Sequence, residues 1–329
     1  MMNKLIEDFP LQLKESTSVY SRCSIKTVYP NINNIIVCGL GGSGFIGDLV
    51  LDLFSRDLSV PLITNKGYHL PHFADESSLL ILTSYSGQTE EVVNCFEEAL
   101  QKNLTPICIS SGGKLKQLAA EHNFDFIDIP TGYPPRTSLA FGFTNMLYVL
   151  THFNLIPEKH TTLPAELSAF LSSTQEEIKG NAKDCSNLFK DKIIVAYTED
   201  RVESVALRLK QQINENSKSY CWFNILPELN HNELVGWKQN HHAIQSLFLR
   251  TSFENERNKH RFDFIKPIVS QYADSVIEIF PKGNTLAEQY FYLLHWSDWL
   301  SYYLALEQEQ DPVEVRVIDN LKSYLKNIN

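Results

Sequence analysis

Residues 34 to 48, Asn34-Ile-Ile-Val-Cys-Gly-Leu-Gly-Gly-Ser-Gly-Phe-Ile-Gly-Asp48, run from an apolar strand pattern into a glycine-rich loop that opens a helix. Such a loop lets the backbone turn sharply and aim N–H groups such as those of Gly42 and Ser43 at an anion, where the helix dipole favours a phosphate. Gly39, Gly41 and Gly44 satisfy G-x-G-x-x-G, so a dinucleotide is the first candidate. That chemistry also needs a carboxylate at the end of the next strand to hold the ribose hydroxyls, and here Val60-Pro-Leu-Ile-Thr64 runs into Asn65-Lys66-Gly67. A second apolar run, Leu79 to Thr83, leads into Ser84-Tyr-Ser-Gly-Gln-Thr-Glu-Glu91 and another helical pattern. Ser84, Ser86 and Thr89 place three hydroxyls at that helix start, a donor set suited to the dianion of a phosphate monoester. The alternative use of these side chains is to cap the helix at Glu90, which takes one hydroxyl. A third loop, Thr131-Gly-Tyr-Pro-Pro-Arg-Thr-Ser-Leu139, has two prolines that stiffen the approach to Arg136. A planar guanidinium there can clamp an oxyanion or polarise a substrate oxygen; the alternative is an arginine on a surface loop.

The elements that must position these loops follow the same logic. Strand patterns near residues 35–38, 62–64, 79–83, 106–110 and 126–129 alternate with helical ones, which predicts a doubly wound, mainly parallel sheet with helices on both faces. After the helical stretch 138–153, the segment Asn154 to Pro164 is polar, carries two prolines and reads as a linker. The plan then repeats, with strands at 192–197, 243–249 and 275–280 and helices at 202–213 and 260–272. The expected organisation is therefore α/β, with an N-terminal domain over 1–153, a linker over 154–164 and a C-terminal domain over 165–329 that ends in a helix. In the second half, Tyr197-Thr-Glu-Asp-Arg201 stands where the first half has its glycines, so the second domain is expected to have lost that phosphate site.

Composition bounds the partners. The 329 residues are 43% hydrophobic and 21% charged, which suits a folded chain of two domains. A net charge of −10 disfavours nucleic acid and anionic membrane alike, so local basic groups must handle an anionic substrate. Cys23, Cys38, Cys95, Cys108, Cys185 and Cys221 form no C-x-x-C pair and read as reduced thiols. No apolar signal core opens the chain and no run of about 18 apolar residues occurs, so a cytoplasmic location is expected.

The glycine loop and Ser84-Tyr-Ser-Gly-Gln-Thr89 resemble those of the sugar isomerase (SIS) domains, whose Ser- and Thr-rich loops hold the phosphate of phosphosugars. The Pro-Arg loop resembles that of the bifunctional phosphoglucose/phosphomannose isomerases, a dimeric SIS subfamily. The resemblance extends over nearly the whole chain. It continues in Asn214-Glu215-Asn216, at the end of a helical stretch, and in Pro227-Glu-Leu-Asn-His-Asn-Glu233. It implies two tandem SIS domains of flavodoxin-like or Rossmann-like winding, Glu215 as the base and His231 as the ring-opening group. It also implies Lys322, in the Leu-Lys pair of the last helical segment, as an assistant to ring opening, with Lys326 beside it as another solvent lysine if that role is absent.

These residue types fit the reaction. A carboxylate can take a proton from one carbon of an enediolate and return it to the other. Imidazole titrates where ring opening needs both a donor and an acceptor. A fixed cation such as Arg136 favours the anionic enediolate over the substrate. No cofactor and no metal are expected: Glu228, His231, Glu233 and the pair His241-His242 match no zinc spacing. In the subfamily the histidine of one chain completes the site of another, which implies a homodimer and leaves His231 to act either in trans or in its own chain's site. Val313 stands where the subfamily pattern has Thr after Asp-Pro, and Gln88 where Asn is usual; the first bears on the glucose-versus-mannose preference. Two other readings remain open: an isomerase of a different phosphosugar, and a non-catalytic phosphosugar sensor.

Overall fold

The computed structural model describes residues 1–20, 24–239 and 243–328; Cys23 and the pair His241-His242 lie outside them. The chain forms two compact units, Glu7–Ser173 and Met1–Ile6 with Thr174–Asn329. The helices of the opening segment are α1 (Met2–Glu7) and α2 (Phe9–Tyr20).

The sheet of the N-terminal unit is built from β1 (Asn34–Cys38), β2 (Leu62–Asn65), β3 (Ser78–Ser84), β4 (Ile107–Ser110) and β5 (Phe126–Asp128). Their order is β2-β1-β3-β4-β5 and every pairing is parallel. The helices are α3 (Gly41–Phe54), α4 (Glu90–Gln101), α5 (Gly113–Glu121) and α6 (Leu139–His152). β3 is buried along its whole length, as a central strand covered on both faces must be. α4 turns Val92, Cys95, Phe96 and Ala99 inward, and Glu90 and Glu91 in its first turn complement the helix dipole. These side chains meet Ile36, Leu80, Leu82 and Leu115 in one core. The winding reverses between β1 and β3, and it is there, beyond the carboxyl ends of the strands, that doubly wound sheets bind ligands.

Residues 154–164 contain a 3-10 turn, Glu158–Thr162, and the start of α7 (Leu163–Ser186). The two compact units divide at Ser173, inside that helix.

The C-terminal unit holds β6 (Ile193–Glu199), α8 (Glu203–Gln212), β7 (Cys221–Leu226), β8 (Ile244–Leu249), α9 (Glu256–Tyr272), β9 (Val276–Ile279), α10 (Leu286–Glu307) and α11 (Arg316–Lys326). Its sheet has the order β7-β6-β8-β9, again parallel throughout. β7 is the strand that sequence patterning missed: it is an edge strand with only its first and last residues buried, and Asn224 interrupts its apolar side chains. α10 opens with a capping box between Thr285 and Glu288. Its rings Tyr290, Phe291, Trp296 and Trp299 are buried, which makes this aromatic helix the core of its unit. α11 has no buried residue, and Val317, Leu321 and Tyr324 are exposed.

Candidate active site

In the N-terminal unit, three loops converge at the point where the winding reverses. The helix that follows the first loop begins at Gly41, with no side chain capping it at Leu40, so its first N–H groups carry no side-chain partner at that cap. Gly44 must lack a side chain because a Cβ there would lie 2.3 Å from the Gly39 carbonyl oxygen. Gly42 approaches the third loop so closely that its Cβ would lie 3.0 Å from the Pro135 oxygen. Ser43 joins the first two loops: its Oγ accepts from the Tyr85 N–H at 3.1 Å, and its carbonyl accepts from Thr83 Oγ1 at 3.1 Å.

In the second loop the Gly87 N–H donates to Ser84 Oγ at 3.1 Å and the Gln88 N–H donates to Ser86 Oγ at 3.2 Å. Thr89 occupies the N-cap of α4 but makes no side-chain cap bond; its hydroxyl lies 2.8 Å from Ser84 Oγ. Tyr85 ties the second loop to the third, donating from its hydroxyl to the Pro130 carbonyl at 3.1 Å and accepting from the Tyr133 N–H at 2.8 Å. Arg136 lies in the 3-10 turn Pro135–Thr137 and is buried. A small cleft lined by Gly42, Ser43, Thr83, Tyr85 and Ser138 sits where the loops meet. The structure thus gathers Gly42, Ser43, Ser84, Ser86, Thr89 and Arg136 on neighbouring loops. Tyr85 is the residue that sequence reasoning overlooked, because its partners lie 45 and 48 positions away.

In the C-terminal unit, α8 does not stop as an α-helix. It passes into a single π turn, Ile213–Ser217, in which Glu215 is half-buried. Such turns carry an extra residue and occur often at functional sites. The turn is locked to α10, with Asn216 Nδ2 donating to Ser301 Oγ at 2.9 Å and Ser217 Oγ to the Ser301 carbonyl at 2.7 Å. One turn back, Arg208 grips Asp298 with Nε and Nη2 at 3.0 and 2.8 Å, and Gln212 Nε2 adds a bond at 2.7 Å. Such bidentate geometry compensates a buried ion pair for its lost hydration.

His231 follows β7 in the 3-10 turn Glu228–His231 and is exposed. Its neighbour Glu233 anchors the segment, accepting from Tyr197 Oη at 2.5 Å and from Asn224 Nδ2 at 2.7 Å. Burial, followed by the Glu233 charge, raises the Tyr197 phenol far above its ordinary range and keeps it a donor. The pairing of β7 with β6 sets Cys221 beside Ile194 and Leu226 beside Glu199. Glu215, ahead of β7, therefore stands at the amino edge of this sheet, and His231 at the carboxyl edge. A strand of six residues separates those edges by about 20 Å. The structure does not bring Glu215 and His231 of one chain together. Lys322 lies on α11, largely exposed, with its ammonium 3.9 Å from Asp319 Oδ1.

At the carboxyl end of β6, where the first sheet has its glycines, the second has the buried carboxylate of Glu199. Glu199 Oε2 accepts from the Asn255 N–H at 3.0 Å and from Asn258 Nδ2 at 3.2 Å, donors an anion would otherwise use. Among the described residues no three or more His, Cys, Asp or Glu side chains group as a metal site. Among the same residues no helix is long and apolar enough to cross a membrane.

A bifunctional phosphoglucose/phosphomannose isomerase from Caldicellulosiruptor bescii is 32% identical over 338 residues, covering 99% of each chain. The chain belongs to this family. The Aquifex aeolicus member is 35% identical over 89% of this chain and 90% of its own. Residues 178–325 match the family described as bacterial phospho-glucose isomerase C-terminal SIS domain. Among solved structures, the C-terminal domain of glucosamine-fructose-6-phosphate aminotransferase from Francisella tularensis superposes with a TM-score of 0.77. It covers 94% of this chain and 97% of its own at 14% identity, a likeness of fold.

Proposed function

We propose that this protein interconverts glucose 6-phosphate and mannose 6-phosphate with fructose 6-phosphate by ring opening and proton transfer through a cis-enediolate. The observation that carries this reading is the full-length match to curated phosphoglucose/phosphomannose isomerases, joined to converging loops whose donors suit one phosphate. In this reading Gly42, Ser43, Ser84, Ser86 and Thr89 bind the phosphate. Glu215 removes the C2 proton of the open-chain aldose and returns it to C1, while one proton shifts from O2 to O1, so the sugar is neither oxidised nor reduced overall. Arg136 stabilises the charge on the enediolate oxygens. Lys322 assists ring opening.

His231 is assigned to ring opening in a partner's site, within a homodimer located in the cytoplasm. Two observations support the trans role: His231 is exposed, and a strand length separates it from Glu215 in its own chain. Val313 in place of a threonine bears on which C2 epimer is preferred.

The test is formation of fructose 6-phosphate from each aldose, with and without EDTA. Turnover of both despite EDTA supports the reading, and turnover of neither overturns it.

A further inference from the structure

We propose that Lys218 is a positioning residue for Glu215: its ammonium clamps the C-terminal segment Asp311–Glu314 onto the π turn that carries the base. This inference rests on the assignment of Glu215 as the base.

Lys218 closes that turn as its C-cap, in the left-handed conformation with φ 55°. Glycine or asparagine is the usual choice at such a position, because a Cβ crowds the following carbonyl oxygen there, a cost that asparagine offsets by local hydrogen bonding. The lysine side chain supplies the reason for its presence. Nζ folds back over the end of the helix and donates to the carbonyl of Glu215 at 2.9 Å and that of Asn216 at 3.3 Å. It also reaches the carbonyls of Asp311 at 2.5 Å and Glu314 at 2.9 Å. Three N–H bonds are thus set against four oxygens, so this lysine has its hydrogens committed to backbone.

The last carbonyls of any helix lack partners within it, and a cation at that end also meets the negative pole of the helix dipole. Here the carbonyls that Lys218 serves include that of the candidate base itself. The clamp therefore fixes the backbone from which the Glu215 carboxylate projects. Nearby, Ser219 Oγ, just past this turn, donates to Gln308 Oε1 at 2.7 Å, a further tie to the end of α10. The Val313 N–H donates to Asp311 Oδ1 at 2.8 Å, which folds the clamped segment into a compact turn. The segment leads directly into α11, which buries no residue. The base and the C-terminal arm are joined through one side chain.

A clamp of this kind acts on the geometry of proton transfer rather than on substrate affinity. Displacement of a reacting group by about 1 Å can cost on the order of a hundredfold in rate. The experiment compares Lys218→Met, Lys218→Asn and Glu215→Gln with the full-length wild type. Lys218→Asn is included because asparagine accepts the left-handed backbone while removing the ammonium. The expected result for both Lys218 variants is a kcat lowered about tenfold or more, KM for fructose 6-phosphate unchanged within about twofold, and a near-wild-type thermal midpoint. Substrate deuterated at C2 should also lose more label to solvent during turnover, since a poorly placed carboxylate holds the proton longer between carbons.

Wild-type kcat in both Lys218 variants, with Glu215→Gln inactive, overturns the clamp and leaves the base reading intact. Loss of kcat together with raised KM and a lowered midpoint in both Lys218 variants makes Lys218 a general structural contact and also overturns it. Full turnover by Glu215→Gln removes the base reading on which the clamp depends.

Discussion

His295 gives the support of the candidate base a signature in pH. It is fully buried on α10, where its Nε2 accepts from Trp299 Nε1 at 3.1 Å. Burial, aided by repulsion from the Arg208 guanidinium, pushes its pKa down from 6.5 to about 3. The folded protein therefore keeps a neutral imidazole at pH values where the unfolded chain has already bound a proton. Stability contributed by this group is present above pH 6.5 and is lost as pH falls from there towards 3. The slope is about 1.4 kcal/mol per pH unit, so about 3 kcal/mol is lost by roughly pH 4.5. His295→Gln keeps an acceptor for Trp299 but has nothing to titrate. The assay is urea unfolding of both proteins at about pH 7.5 and 4.5, followed by tryptophan fluorescence, since Trp296 and Trp299 lie on the same helix. The variant should lose about 2 to 3 kcal/mol less than wild type on acidification, because other titrating groups cancel in the comparison. Equal acid losses in the two proteins would refute the reasoning.

Two further outcomes are expected. Gly44→Ala brings a methyl group to 2.3 Å from the Gly39 oxygen, so the first glycine loop must open. Steady-state kinetics should show KM for the phosphosugar raised by about tenfold or more, and an unchanged KM would contradict the role of that loop. Glu215→Gln and His231→Ala should each be inactive as homodimers, yet a mixture refolded together should recover about a quarter of wild-type activity. Half of the dimers are then mixed and each holds one intact site in trans. A silent mixture would place His231 in the same site as its own chain's Glu215.

Much of this architecture can be read from the sequence where side chains alone decide it. The apolar run of β3, the glycines after β1 and the hydroxyls before α4 each announce a buried strand or a loop that opens a helix. Other features depend on atoms brought together from afar. Tyr85 staples two loops through backbone groups of Pro130 and Tyr133, and Lys218 reaches carbonyls 93 and 96 positions away. No spacing rule reports such contacts, because their acceptors are main-chain oxygens that every residue possesses. β7, an edge strand in which Asn224 interrupts the apolar residues and only the two ends are buried, escapes such rules as well. The consequence is substantial, since β7 is the element that sets Glu215 and His231 at opposite edges of the sheet. α10 is rich in apolar and aromatic residues without one clear polar face, a pattern shared by a core helix and an interface; burial of Trp296 and Trp299 within the unit makes it core.

The assignment of Glu215 as the base is tested most directly by measuring two quantities on one variant, Glu215→Gln. These are kcat for isomerisation of glucose 6-phosphate and mannose 6-phosphate, and the equilibrium affinity for fructose 6-phosphate. A transferring carboxylate that leaves phosphate binding to other residues predicts loss of turnover by about a thousandfold or more, with the affinity held within about threefold. Turnover within about tenfold of wild type in the correctly folded variant would contradict the assignment, and with it proton transfer through the Glu215 carboxylate.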